Sequence, residues 1–182
     1  MIELGCITMR RKLILLVASV GMAVLENACA RTQAPTVNAV QGNLEQVMLG
    51  IMYPAANVIA VAQEKDPLEI PLADDAITTP DPMGSIYGGW RAVENASIAL
   101  VESTTLMTTP GRKCTNGTDV PTQNPEWAHF VEELRKDSLA AYEAAKTKDQ
   151  QKLREAGTAM DMVCDSCHER YLETPNVEDR CK

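Results

Sequence analysis

The chain has 182 residues, a formal net charge of −8 at neutral pH and an aromatic content of 4%. This length suits a single domain once a leader is removed. Because nucleic acids and anionic membranes attract basic surfaces, we expect no nucleic-acid partner and no electrostatic binding to a lipid surface.

The first 30 residues have the pattern of a secretory signal peptide. Residues 10–12 are basic, residues 13–25 form an apolar run, and Ala28 and Ala30 give the small-x-small pattern that precedes a cleavage site. The run is too short to span a bilayer of roughly 30 Å as a helix. A buried core helix is the alternative interpretation of this run.

We therefore predict a signal peptide over residues 1–30, with Met9 as an alternative start, and one mature domain over residues 31–182. The protein is expected in the periplasm or otherwise exported. Cys29 offers a second interpretation, as a lipid-modified first residue, although Glu26 stands where lipoprotein signals usually carry an aliphatic residue. We expect membrane attachment only through such a lipid, because no stretch after the leader is apolar enough to span a membrane.

Four stretches of the mature chain carry apolar residues at steps of three and four, the spacing of one helix face. The first covers residues 40–62, and Pro54 within it should kink the helix. The second covers residues 86–107 and ends before a Pro-Gly pair. Between them, the Pro- and Asp-rich segment EKDPLEIPLADDAITTPDPMG is predicted to form a long loop.

The third stretch covers residues 127–145, after a second long loop at residues 110–125. Its start is clear, because Asn124 is a good N-cap and Pro125 fits the first helical position. The fourth stretch covers residues 153–171 and follows a short turn. Since no alternating apolar pattern is long enough for a sheet, we predict an all-α fold, an up-down-up-down four-helix bundle with two long loops. Its core of small aliphatic side chains and methionine leaves room for a large planar cofactor.

The fourth stretch contains the pentapeptide CDSCH at residues 164–168. C-x-x-C-H is the attachment signature of c-type haem. Cys164 and Cys167 lie on one side of a helix, where their thiols can add to the two vinyl groups of haem, and His168 can ligate the iron. We therefore predict one covalently bound haem c, attached through both cysteines, with His168 as an axial ligand.

Other chemistries use similar residues. A C-x-x-C redox site normally lies at the start of a helix, where the positive end lowers the thiol pKa, whereas this motif lies near a helix end. A zinc site could use Cys164, Cys167, His168 and Cys181, although zinc ligands usually lie in tight turns. Chance pairing of core cysteines is the remaining alternative.

The segment EWAHFVEELRKDSLAAYEAAKTKDQQKLREAGTAMDMVCDSCHERY resembles the class II cytochromes c, the cytochrome c′ family. The resemblance consists of a helix with Phe130 and Leu134, an Ala-rich helix end, a short charged turn and a last helix that runs into C-x-x-C-H-x-x-Y. It implies a four-helix haem protein whose first helix supplies the residue on the distal side of the iron.

In such a protein a distal methionine makes a six-coordinate electron carrier, and a distal non-ligand leaves the iron open to NO or CO. Met48 falls inside the apolar stripe of the first helix and Met52 falls at its edge, so we predict Met48 as the second axial ligand, with Met52 as the alternative. Both are also explained as ordinary core methionines. His129 should face water.

Cys114 follows the second helix and Cys181 follows the fourth. In an up-down-up-down bundle both would therefore lie at the end that contains the C-x-x-C-H motif. We predict a disulfide between them, which an exported protein permits. Two free thiols are the alternative.

The predicted function is one-electron transfer by an exported c-type cytochrome with a redox protein as its partner. The alternatives are a five-coordinate haem protein that binds NO or CO, and a haem subunit of a larger electron-transfer assembly. We predict no enzymatic activity and no catalytic residue, because the sequence has no Ser-His-Asp arrangement, phosphate loop or metal-protease motif. The family resemblance also allows a homodimer.

Overall fold

The computed structural model describes residues 40–182. The predicted signal peptide, its alternative start and the lipidation site at Cys29 lie outside the described residues. Four long helices and no strand are present in the described part, which confirms the all-α prediction for it. The helices are α1 over Leu44–Glu64, α2 over Trp90–Met107, α3 over Pro125–Thr147 and α4 over Gln150–Tyr171.

Side-chain caps fix three of the four helix starts. The Asn43 side chain accepts from the Gln46 N–H, while the Gln46 side chain accepts from the Asn43 N–H, both at 2.9 Å. The prediction that Asn124 caps α3 is confirmed, because its side chain accepts from the Glu126 N–H at 2.9 Å. Asp149 caps α4 in the same way. Each cap satisfies an N–H group that the helix itself cannot pair.

Helix α2 begins at Trp90, four residues later than the apolar spacing predicted. Gly89 has a φ of 63°, a left-handed conformation that favours glycine. A Cβ atom on Gly88 would lie 2.1 Å from the Met83 carbonyl oxygen, so the chain here is too close for any side chain. These two glycines end the loop, and Ile86 stays within it as an exposed residue.

Helix α1 contains a π-helical turn at Met48–Met52. The Tyr53 N–H donates to the Met48 carbonyl, five residues back, and the next residue is Pro54, which has no N–H to donate. The helix therefore widens before Pro54, where we had predicted a kink, and continues past the proline to Glu64.

The π turn also corrects the predicted position of the two methionines. A straight helix places Met48 inside the apolar stripe and Met52 at its edge. In the structure Met52 is the buried one, with 6% of its surface exposed, and Met48 is half-buried against the core. One extra residue in the turn changes which side chains face inward.

The four helices pack together, with α1 and α3 each in contact with α2 and α4. The Leu44 N–H donates to the Lys113 carbonyl, which joins the start of α1 to the segment after α2. Glu126 and Arg170 form an ion pair of 2.9 Å, which joins the start of α3 to the end of α4. We call this end of the molecule the site end. At the far end, the Gln150 side chain donates to the Ala62 carbonyl.

Helix α1 is long and apolar enough to cross a membrane, judged by its length and composition alone. This corrects our expectation that no stretch after the leader reaches that level. A single helix of this kind is weak evidence for a membrane span, and α1 packs against α2 and α4.

Candidate functional site

A cavity of about 520 Å³ lies at the site end, a volume within the range of small-molecule and cofactor sites. Side chains of all four helices line it, with Leu100 from α2, together with the segment after α2 and the tail, residues 172–182. The wall contains every residue that the sequence assigned to the haem site, namely Met48, Met52, Cys164, Cys167 and His168, and both cysteines of the predicted disulfide, Cys114 and Cys181.

The three motif residues lie in the last two turns of α4. Cys167 is buried, while Cys164 and His168 are half-buried. The His168 carbonyl accepts from the N–H groups of Leu172 and Glu173, which ends the helix one turn after the motif. Both motif thiols are free, and both line the cavity together with His168.

The two thiols are not activated as nucleophiles. Burial raises the pKa of Cys164 to about 11, and the carboxylates of Asp161 and Asp165 add to this shift. Burial also raises the pKa of Cys167 to about 11, with smaller effects from Cys164 and Glu126. A C-x-x-C redox site needs a lowered thiol pKa, so these shifts disfavour the redox interpretation.

The zinc interpretation loses its fourth ligand. Cys181 is bonded to Cys114 in the structure, with a Cα–Cα distance of 6.5 Å. Within residues 40–182, no group of three or more His, Cys, Asp and Glu side chains is arranged to hold a metal ion.

The disulfide joins the segment after α2 to the tail. Both of its cysteines are buried and line the cavity. Asn116 strengthens this connection, because its amide donates to the carbonyls of Val177 at 3.1 Å and Arg180 at 3.0 Å. The Cys181 N–H donates to the Tyr171 carbonyl at 2.9 Å. The tail is thus held against the site end.

Helix α1 forms the more open part of the wall. Leu49 and Tyr53 line the cavity, yet 63% and 62% of their surfaces are exposed. Met48 and Met52 lie on the same helix. His129 is exposed and is not among the lining residues, as its predicted orientation toward water requires.

Two aromatic residues that we had not assigned to the site, Trp127 and Tyr171, form another part of the wall. The rings of Trp127 and Tyr171 meet edge to face, with centroids 5.1 Å apart, and Phe130 packs on Tyr171 at 6.2 Å. Tyr171 follows Cys167 by four residues, one helical turn, so the spacing of the motif could have identified it.

Three polar atoms in this wall are buried and have no hydrogen-bond partner among the described residues. They are Trp127 Nε1, the Tyr171 hydroxyl and Arg180 Nε. Burial raises the pKa of Tyr171, and the charge of the nearby Glu126 adds to the shift. Buried polar atoms are normally paired, so the cavity suits an occupant that is largely apolar but carries hydrogen-bond acceptors. Haem has both properties.

Comparison of the chain with protein-family models, with curated proteins and with solved structures gives no significant match. The functional argument therefore rests on the motif and on the cavity that surrounds it.

Proposed function

We propose that this chain is an exported c-type cytochrome, a four-helix bundle of the class II type that holds one covalently bound haem c and exchanges single electrons with a redox protein. One observation carries the proposal. The two cysteines and the histidine of the C-x-x-C-H motif line a cavity of cofactor size, together with two methionines from another helix.

Each motif residue has a defined role in this proposal. Cys164 and Cys167 hold the cofactor through two thioether bonds, and His168 is the proximal ligand of the iron. The bound haem supplies a one-electron couple. The protonated state of both thiols is compatible with attachment, in which each S–H group adds across a vinyl double bond and no oxidant is consumed.

The relative directions of neighbouring helices support the proposed bundle. Helix α3 is connected to α4 through only Lys148 and Asp149, so the two run antiparallel. The hydrogen bond between Gln150 and Ala62 links the start of α4 to the end of α1, so this pair is antiparallel too. In such an arrangement the start of α1 and the end of α4 share the site end.

Met48 is the proposed distal ligand, and Met52 is the alternative. Both line the cavity, but Met52 belongs to the buried core, whereas Met48 is half-buried and lies one turn closer to the start of α1. The burial of Met52 is explained by core packing alone. A neutral thioether sulfur favours ferrous iron, so we expect a comparatively high reduction potential.

Production of the full chain in a bacterium with haem c maturation enzymes tests the proposal. The purified protein should keep a haem stain on a denaturing gel, and acidified organic solvent should not extract the haem. The double variant Cys164→Ser/Cys167→Ser should lose the stain. The matched control Ser166→Ala changes an exposed residue between the two cysteines and should keep it. Wild-type protein without covalent haem would contradict the proposal.

The spectrum then distinguishes an electron carrier from a gas-binding protein. Methionine ligation predicts a low-spin iron in both oxidation states and slow or absent binding of CO. A high-spin ferrous protein that binds CO at once would instead support the five-coordinate alternative.

A further inference from the structure

One cationic side chain stands out in a cavity wall that is otherwise acidic. Glu45 of α1 and Asp161 and Asp165 of α4 line the cavity, and Arg180 is the single Lys or Arg among the lining residues of the described chain. An occupant with carboxylate groups would meet three like charges and one opposite charge. Arg180 is therefore the one Lys or Arg side chain in this wall that can form an ion pair with a carboxylate.

The backbone around Arg180 is fixed in place. Its N–H donates to the Val177 carbonyl at 3.3 Å, and its own carbonyl accepts from Asn116 at 3.0 Å. The next residue, Cys181, is bonded to Cys114. Arg180 thus belongs to a tethered turn, which lowers the entropy that a contact with a ligand would cost.

The side chain of Arg180 differs from the other arginines at the site end. Arg112 is buried and satisfied, with its Nε donating to the Leu106 carbonyl and its Nη1 to the Gly42 carbonyl, both at 2.7 Å. Arg170 donates to Glu126 at 2.9 Å. Arg180 has a buried Nε without a partner and no ion pair within residues 40–182. Its guanidinium is left available to an occupant of the cavity.

We propose that Arg180 binds a propionate carboxylate of the haem and so positions the cofactor from the side of the tail. The inference rests on the proposed function, because the haem supplies the carboxylate. A guanidinium presents parallel N–H groups that match a carboxylate, and this pairing is stronger than a neutral hydrogen bond. Arg180 is a positioning residue, and the disulfide holds it there.

The charge of Arg180 should appear in the pH dependence of the reduction potential. Eight titratable groups of the chain line the cavity besides Arg180 in the tail, namely Glu45, Tyr53, Asp161, Cys164, Asp165, Cys167, His168 and Tyr171. A neighbouring guanidinium lowers the pKa of a carboxyl by about one to three units. The potential falls with pH while a propionate loses its proton, so loss of Arg180 should move that pH range upward by a similar amount.

The experiment compares four forms of the purified haem protein by measuring reduction potential against pH. Wild type and Arg135→Gln, which removes one exposed charge from α3 away from the cavity wall, should have the same pH range. Arg180→Gln should move the range upward by about one to three pH units, and Arg180→Lys should lie between. The visible spectrum should be unchanged in all four.

Each outcome decides the question. If Arg180→Gln behaves like Arg135→Gln, the inference is wrong, while the proposed function stands on the haem stain. If wild type carries no covalent haem, both fail. If Arg180→Gln is produced without attached haem, attachment in Arg180→Lys supports the inference. Failure of attachment in both Arg180 variants with helical circular dichroism intact would overturn it, because the charge would then not be the property that matters.

Discussion

The far end and the site end of the four helices are built from different side chains. At the far end, α3 and α4 meet through buried small residues, and a Cβ atom on Gly157 would lie 2.4 Å from the Gln63 side chain of α1. At the site end the facing side chains are Trp127, Tyr171 and the methionines, and they surround a cavity. Small residues let helices approach closely, whereas large residues with polar atoms hold them apart around a ligand.

This difference suggests that the far end supplies packing stability and the site end supplies function. The disulfide and the tail are exceptions, because they stabilise the site end through a covalent link. Substitutions at the far end should therefore lower the free energy of unfolding, whereas substitutions at the site end should change the haem spectrum.

The largest effect on stability should come from the Cys114–Cys181 disulfide. It closes a separation of 67 residues, and the double variant Cys114→Ser/Cys181→Ser should lose roughly 3–5 kcal/mol by the chain-entropy estimate. Denaturant titration measures the loss. Thiol labelling of the unfolded, unreduced wild type should leave both cysteines unmodified, and full labelling of both would show that no bridge forms.

At the far end, Leu153→Ala should lower the free energy of unfolding and leave the haem spectrum unchanged. Leu153 is fully buried, so the transfer and cavity terms together cost about 2–5 kcal/mol. The control Leu139→Ala removes a side chain that is 38% exposed on α3 and should cost far less. A shift of the haem bands in Leu153→Ala would mean that the two ends are not separate.

At the site end, Met48→Ala should change the spectrum more than the stability. Loss of the sulfur should give a five-coordinate or water-ligated iron, a shift toward high spin and ready binding of CO. Met52→Ala should cost about 2–5 kcal/mol, because Met52 is buried, and should leave the iron low-spin. The reverse spectral result would assign Met52 as the ligand.

The smallest effect should come from Asp137, a buried carboxyl on α3. Burial raises its pKa in the folded protein. Because the folded pKa is the higher one, stability is lost as the pH rises through it, so Asp137→Asn should be more stable than wild type at neutral pH. That advantage should disappear in acid, where both states bind the proton. The control Glu132→Gln removes an exposed carboxyl from the same helix and is measured over the same pH range.

Local signals in the sequence predicted the helices well, and they also predicted that the motif residues would lie together. Asn124 and Pro125 marked the start of α3 because capping needs only neighbouring residues. The C-x-x-C-H spacing brought its three residues to one wall because a helix places them within about one turn of each other.

The predictions were wrong where contacts between distant residues or the conformation of the backbone determine the structure. Apolar spacing assumes 3.6 residues per turn, so it could not foresee the π turn that buries Met52 instead of Met48. It extended α2 back to Ile86 because it ignores the backbone contact at Gly88. Arg180 was not among the predicted site residues because its place in the cavity wall depends on the tail returning to the cavity, although its position beside Cys181 was a usable signal.

The most direct test of the account is the intact mass of the exported protein under denaturing conditions, followed by sequencing of its proteolytic peptides. The account predicts a chain without residues 1–30 and heavier than its amino-acid sequence by the mass of one haem, with the added mass on the peptide that contains Cys164 and Cys167. A mass equal to the bare polypeptide, with both of these cysteines unmodified, would contradict it.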